Sequence, residues 1–130
     1  MGADTRVDLE EGMVSDPKPT LAIDFDGVLH SYSGWTGSNK LSEPVPGAVE
    51  FCRRAVERFH LVVYSARALD PDQRVQLGIW LSQHGFPAMY ITAQKPPALV
   101  YLDDRAWRFD GQWPDVEALV AFRAWWEAAG

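Results

Sequence analysis

The chain has 130 residues, 47% of them hydrophobic and 23% charged, with a formal net charge of −6 and a pI near 4.9. That length fits one compact domain, able to bury roughly two-thirds of its unfolded surface. The acidic balance excludes extended binding to a nucleic-acid backbone, which needs a basic face, but it leaves room for a local phosphate site in which a divalent cation supplies the positive charge.

Cys52 is the only cysteine, so neither an intrachain disulfide nor a thiolate metal cluster forms, and a reducing, cytoplasmic setting is expected. No apolar run has signal-peptide character or the ~20-residue length of a membrane span, so no membrane partner is expected.

Residues 1–18 carry Asp4, Asp8, Glu10, Glu11 and Asp16 with almost no apolar periodicity, and read as a disordered acidic tail before a single domain over 19–130. Thr20–Phe25 is a short apolar run that predicts a buried parallel strand. Gly27 to Val45 is a long loop, rich in Gly, Ser and Asn with aromatics mixed in; loops of that length usually serve function. Pro46 opens a helix whose apolar face is Val49, Phe51, Cys52, Ala55, Val56 and Phe59. His60–Ser65, with its β-branched run, predicts a second buried strand. Asp70 caps a second helix with Pro71 in its first turn; Val75, Leu77, Ile79, Trp80 and Leu81 fill it and Gly85 stops it. Met89–Thr92 is a third strand and Leu99–Asp104 a fourth, separated by a loop over 93–97. Trp107–Phe109 reads as a short fifth strand, Asp110-Gly111 as a turn, and Pro114–Ala128 as a terminal helix. The order βαβαββα implies an α/β fold: a parallel, Rossmann-like sheet with right-handed crossovers and helices on both faces, three layers in all.

In such a sheet the ligand lies beyond the carboxyl ends of the strands. Strand one ends at Asp24 and Asp26, strand two at Ser65, strand four at Asp103 and Asp104, and Lys95 precedes strand four. Clustered carboxylates repel unless a cation joins them, and oxygen ligands without His or Cys favour Mg²⁺. Asp24 and Asp26, two apart on an extended chain, share a side, while Phe25 between them anchors in the core with its carbonyl left free. One carboxylate can then attack phosphorus, and the other can protonate the leaving oxygen and afterwards activate water. Ser65 and Lys95 can hold phosphoryl oxygens. Arg67 and Arg105 can grip a phosphate bidentately or equally hold the acids together. His30, Tyr32 and Trp35 more readily pack the loop onto the domain than stack on a substrate ring. Trp107, Trp113, Trp125 and Trp126 read as core or edge packing; the adjacent pair cannot share one helix face, so one of the two is expected to be exposed, which leaves a weak dimer contact open.

These residues carry a resemblance. Ile23-Asp24-Phe25-Asp26-Gly27-Val28-Leu29 resembles the first motif of the haloacid dehalogenase superfamily, Val62–Ser65 its second, Lys95 its third, and Tyr101–Asp104 the paired-acid form of its fourth, in the family's order. The resemblance spans residues 20–109. It implies a Mg²⁺-dependent phosphomonoesterase in which Asp24 becomes an aspartyl-phosphate and Asp26 is the acid and base. The metal would take a carboxylate oxygen of Asp24, the backbone carbonyl of Asp26 and one acid of the pair, with Asp104 favoured as direct ligand and Asp103 behind it or acting through water. Lys95, Ser65 and Arg67 would bind the phosphoryl group. No segment is long enough for a cap domain; at most residues 34–43 form a short flap. The expected substrate is a small phosphorylated molecule, with nucleotides, sugar phosphates and polynucleotide ends all open, and the expected state a monomer or weak dimer. The competing readings are a phosphoacceptor domain of the receiver type and a non-catalytic binding protein. Receivers place the phosphorylated Asp after strand three, where this chain has Thr92; a binding protein has no need to retain repelling acids.

Overall fold

The computed structural model describes residues 18–32, 34 and 40–128. Apart from Lys18, the expected acidic tail lies outside the described residues, as do residues 35–39 of the expected flap, Trp35 among them.

Strand β1 (Thr20–Asp24) is followed by helix α1 (Ala48–Ala55), β2 (His60–Tyr64), a 3-10 turn (Ala66–Leu69), helix α2 (Pro71–Gln83), β3 (Tyr90–Thr92), β4 (Val100–Leu102) and short helices α3 (Val116–Val120) and α4 (Trp125–Ala128). The four strands form one all-parallel sheet in the order β3-β2-β1-β4. β1 and β2 are the central pair, and their apolar runs are buried as a doubly covered strand requires: Leu21 to Ile23 and Leu61 to Tyr64. Leu21, Ile23, Leu61 and Val63 point to one face and form the main core with Ala48, Cys52 and Ala55 of α1 and Leu77, Trp80 and Leu81 of α2. Both crossover helices thus deliver their buried side chains to the same core. The other face carries Ala22, Val62 and Tyr64, buried, with Tyr101 and Tyr90 more exposed. The chain passes from β3 to β4 through residues 93–99 without a helix, and the Tyr101 hydroxyl donates to the Pro96 carbonyl of that connection (2.6 Å).

Local signals explain where elements begin and end. The Asp70 carboxylate accepts from the Asp72 N–H (3.0 Å) with Pro71 at the first helical position. Gly85, at φ 84°, ends α2 in a Schellman motif: Phe86 N–H donates to Leu81 O (3.0 Å) and Gly85 N–H to Ser82 O (3.2 Å). Helix α1 begins at Ala48, after a turn over Pro46 and Gly47.

Two expected elements differ. Trp107–Phe109 is irregular rather than a fifth strand, with Trp107 and Phe109 about half exposed; its alternating pattern finds no neighbouring strand to pair with. The expected helix over 114–128 is broken at 121–124. The Glu127 carboxylate accepts from the Ala124 N–H (2.9 Å) and so starts a new helix there, while α3 buries no side chain that would extend the first one. Trp113 is likewise exposed rather than packed, and of the adjacent pair Trp125 is the exposed member, its indole N–H still bonded to backbone. Among the described residues, no helix is long and apolar enough to cross a membrane.

Candidate functional site

Because β1 has β2 on one side and β4 on the other, the winding of the sheet reverses between β1 and β4. The carboxyl ends flanking such a switch point bound the crevice where α/β sheets hold ligands. Asp24 is paired with Tyr64, and Tyr64 with Thr92. Ile23 is paired with Leu102, so Asp103 arrives level with Asp24.

Asp24, Asp103 and Asp104, all half-buried, place carboxylate oxygens within 4.8 Å of one another. Burial, the hydrogen bond with Asp104 and the negative charges of Asp103 and Asp104 together raise the Asp24 carboxyl to about 8, against a smaller lowering from the Phe25 N–H. Asp103 is held on both oxygens, Oδ1 by the Arg105 N–H (2.9 Å) and Oδ2 by the Tyr64 hydroxyl (2.7 Å). Burial, then the bond to Asp103 and its charge, push the Tyr64 phenol far above its ordinary range. The Trp126 indole N–H donates to Asp104 Oδ2 (2.6 Å), and the Trp125 indole N–H to the Gly27 carbonyl (2.7 Å). Gly27 sits at φ 85°, and a Cβ there would run into the Asp104 carboxylate and the Trp126 indole. The glycine is required both for its backbone conformation and for the close approach of the C-terminal segment.

Asp26 lies beyond the end of β1, in a turn in which the N–H groups of Val28, Leu29 and His30 all converge on the Phe25 carbonyl (3.3, 3.0 and 3.0 Å). The Phe25 ring is fully buried as expected, but its carbonyl is engaged by that turn rather than left free. The Asp26 carboxylate is outside the three-acid group. It is gripped by the Arg67 guanidinium, Nε to Oδ2 (2.9 Å) and Nη2 to Oδ1 (3.1 Å), and approached by His30 Nδ1 (2.8 Å). Burial alone would raise its pKa, but the hydrogen bonds from His30 and Arg67 and the guanidinium charge outweigh that and hold it below the usual carboxylate value.

Ser65 is buried immediately after β2, its Oγ accepting from the Arg67 N–H (3.1 Å). This bond turns the chain so that Arg67 reaches back over Asp26. Lys95 is exposed, with Nζ 4.6 Å from the Tyr101 ring centre and 5.8 Å from that of Tyr64. It lies above the rings beside the acid group, with no ion pair among the described residues. Arg105 lies over the Trp126 ring and pairs with Glu127 (3.3 Å), and Tyr32 meets Trp126 edge-on (5.4 Å). Cys52 is buried in the core, its thiol pushed up to about 11 by burial, and plays no part.

Tyr64, Trp125 and Trp126 escaped the sequence reading as site residues. Tyr64 was findable, since it precedes Ser65 at the strand end. The tryptophans gave no signal: Trp125 and Gly27 are 98 residues apart.

Three carboxylates at one end of a switch point, with a proton held between Asp24 and Asp104, form a set suited to a hard divalent cation, which would displace the proton and relieve the repulsion. Comparison with protein-family models, characterised proteins and solved structures gives no match to this chain.

Proposed function

We propose that the chain is a Mg²⁺-dependent phosphomonoesterase of the haloacid dehalogenase type, acting through an aspartyl-phosphate on Asp24. The observation that carries this reading is the convergence of Asp24, Asp103 and Asp104 at the switch point, with a second carboxylate, Asp26, held separately just beyond the strand. In this reading the fold is a capless form of that superfamily, with α1 and α2 as one helical layer on the sheet, the setting is the cytoplasm, and the protein acts as a monomer or weak dimer on small phosphorylated molecules.

The donor set fits the metal: it is all oxygen, and the raised Asp24 carboxyl marks a site that lacks positive charge. Asp24, Asp104 and the Asp26 carbonyl would hold Mg²⁺, with Asp103 held back by Tyr64 and Arg105. When bound, Mg²⁺ would neutralise charge on Asp24 and on the phosphoryl oxygens. An Asp24 oxygen forms a bond to phosphorus as the bond to the leaving oxygen breaks; Asp26 in its acid form gives that oxygen a proton. Asp26 then takes a proton from water, whose oxygen attacks the same phosphorus, releasing phosphate and restoring Asp24. The two halves need opposite protonation states of Asp26. Arg67 and His30 hold it in the ionised form suited to the second half. The first half needs the proton-bearing form, except where a leaving group departs without a proton. Ser65, Lys95 and Arg67 line the phosphoryl position.

The test is hydrolysis of a panel of phosphomonoesters with Mg²⁺ and with EDTA. Turnover is expected only with Mg²⁺ and is abolished in a folded Asp24→Asn variant; retained turnover in that variant removes the nucleophile and the reading with it.

A further inference from the structure

Asp26 has no strand to fix its carboxylate, so its orientation rests on Arg67 and on His30. His30 is 3% exposed, and both of its ring nitrogens are engaged. Nε2 lies 2.8 Å from the Ser42 N–H, a group that can only donate, so Nε2 presents its lone pair. The ring hydrogen of the neutral imidazole therefore sits on Nδ1 and points to Asp26 Oδ1 at 2.8 Å. The ring cannot turn away: it stacks on Phe25 (4.9 Å, 2° between planes) and meets the edge of Trp80 (5.6 Å). Ser42 is fixed in turn, because its carbonyl accepts from the Trp80 indole N–H (2.7 Å). The segments on either side are tied by Ser31 N–H to Glu43 O (2.9 Å) and Val45 N–H to Leu29 O (2.8 Å). Hydrogen bonds thus tie Trp80 on α2 to the Ser42 carbonyl, the Ser42 N–H to His30, and His30 to the carboxylate.

We propose that His30, locked as the Nδ1–H tautomer by Ser42, is the positioning residue that aims Asp26 at the leaving oxygen. This rests on the phosphatase reading. A histidine that only filled the core would also have both nitrogens satisfied, but its replacement would affect all substrates alike. A histidine that aims a proton donor matters only where a proton must be given. Because the same bond favours the ionised carboxylate, its loss alone would raise the proton-bearing fraction, so a lower rate with an ester that needs a proton reports lost aim rather than lost acidity.

The test compares two esters on the full chain with Mg²⁺. p-Nitrophenyl phosphate loses its leaving group without a proton; glycerol 2-phosphate needs one. The ratio kcat/KM reports steps up to that departure. His30→Leu is expected to lower kcat/KM for glycerol 2-phosphate by roughly tenfold to a hundredfold while that for p-nitrophenyl phosphate stays within about threefold. His30→Asn, which keeps a donor near the Nδ1 position, is expected to recover most of the loss. Both esters are measured on one sample, so a partly folded variant cannot imitate the pattern. Equal losses on both esters, or no loss on either, overturn the positioning role. Turnover by Asp24→Asn instead overturns the phosphatase reading beneath it. Independently of any turnover, long-range ¹⁵N–¹H spectra of the wild-type imidazoles are expected to show His30 protonated on Nδ1; protonation on Nε2 overturns the proposal.

Discussion

The sharpest physical prediction concerns stability, because the acid group is unfavourable without a cation. Unfolded, the Asp24 carboxyl loses its proton near 3.8; folded, it keeps it to about 8. Between those values the folded state binds more protons than the unfolded one, so Asp24 lowers stability progressively as pH rises, and the cost levels off above about 8. For a carboxyl fully withdrawn from water that rise would correspond to about 6 kcal/mol, and screening of the half-exposed group reduces it to roughly 2–3 kcal/mol. Asp24→Asn keeps the shape and removes the cost. In thermal melts without metal the variant is expected to match wild type near the lower bound and to exceed it by roughly 8–12 °C at the upper one. Saturating Mg²⁺ should reverse the order, since wild type gains about 4.1 kcal/mol at a thousandfold excess over its Kd, more than the cost above, and the variant loses its main ligand. A difference between the proteins that does not change with pH, or a variant that melts earlier than wild type in alkaline solution, would refute the account of a proton trapped among crowded acids.

Three further substitutions probe how the group is held. Gly27→Ala combines a left-handed backbone with a collision against Asp104 and Trp126 and should cost roughly 2–4 kcal/mol in urea denaturation; a loss below half a kilocalorie would mean the C-terminal segment is not seated there. Tyr64→Phe removes one of two donors to Asp103 and should cost roughly 1–2 kcal/mol; most of that should vanish in an Asp103→Asn background, as a double-mutant cycle would show. Trp126→Phe deletes the indole donor to Asp104 and should weaken Mg²⁺ binding in calorimetry about tenfold; unchanged affinity would argue that Asp104 needs no support from α4.

Much of the site was legible because local chemistry dictates it. β1 and β2 are apolar runs too short and too β-branched for helices, each ending in a polar residue, and parallel pairing gathers those ends on one edge. Asp70, Pro71 and Gly85 punctuate α2 through bonds that involve only near neighbours. What stayed illegible depends on partners distant in sequence. Trp107 and Phe109 alternate as a strand would, yet β4 is an edge strand of three residues with no neighbour there. The 114–128 stretch reads as one helix, and nothing local reveals that Trp125 and Trp126 are drawn to Gly27 and Asp104. His30 belongs by position to a loop, and its inward turn follows from an N–H at Ser42 that no residue pattern advertises.

These contacts, local and long-range, share a logic. Each one supplies a hydrogen-bond donor to a group near Asp24: Tyr64 and Arg105 to Asp103, Trp126 to Asp104, Arg67 and His30 to Asp26, Trp125 to the carbonyl of Gly27. Asp24 alone among the acids receives only its neighbour's backbone N–H and the proton it shares with Asp104. Carboxylates that receive donors are stabilised as anions and held in one rotamer; one left without them stays basic and free to form a new bond. The fold thereby separates donor-supported acids from Asp24 by the distribution of donors, and under the proposed phosphatase reading this distribution, more than the count of acids, is what suits Asp24 to the nucleophile's role.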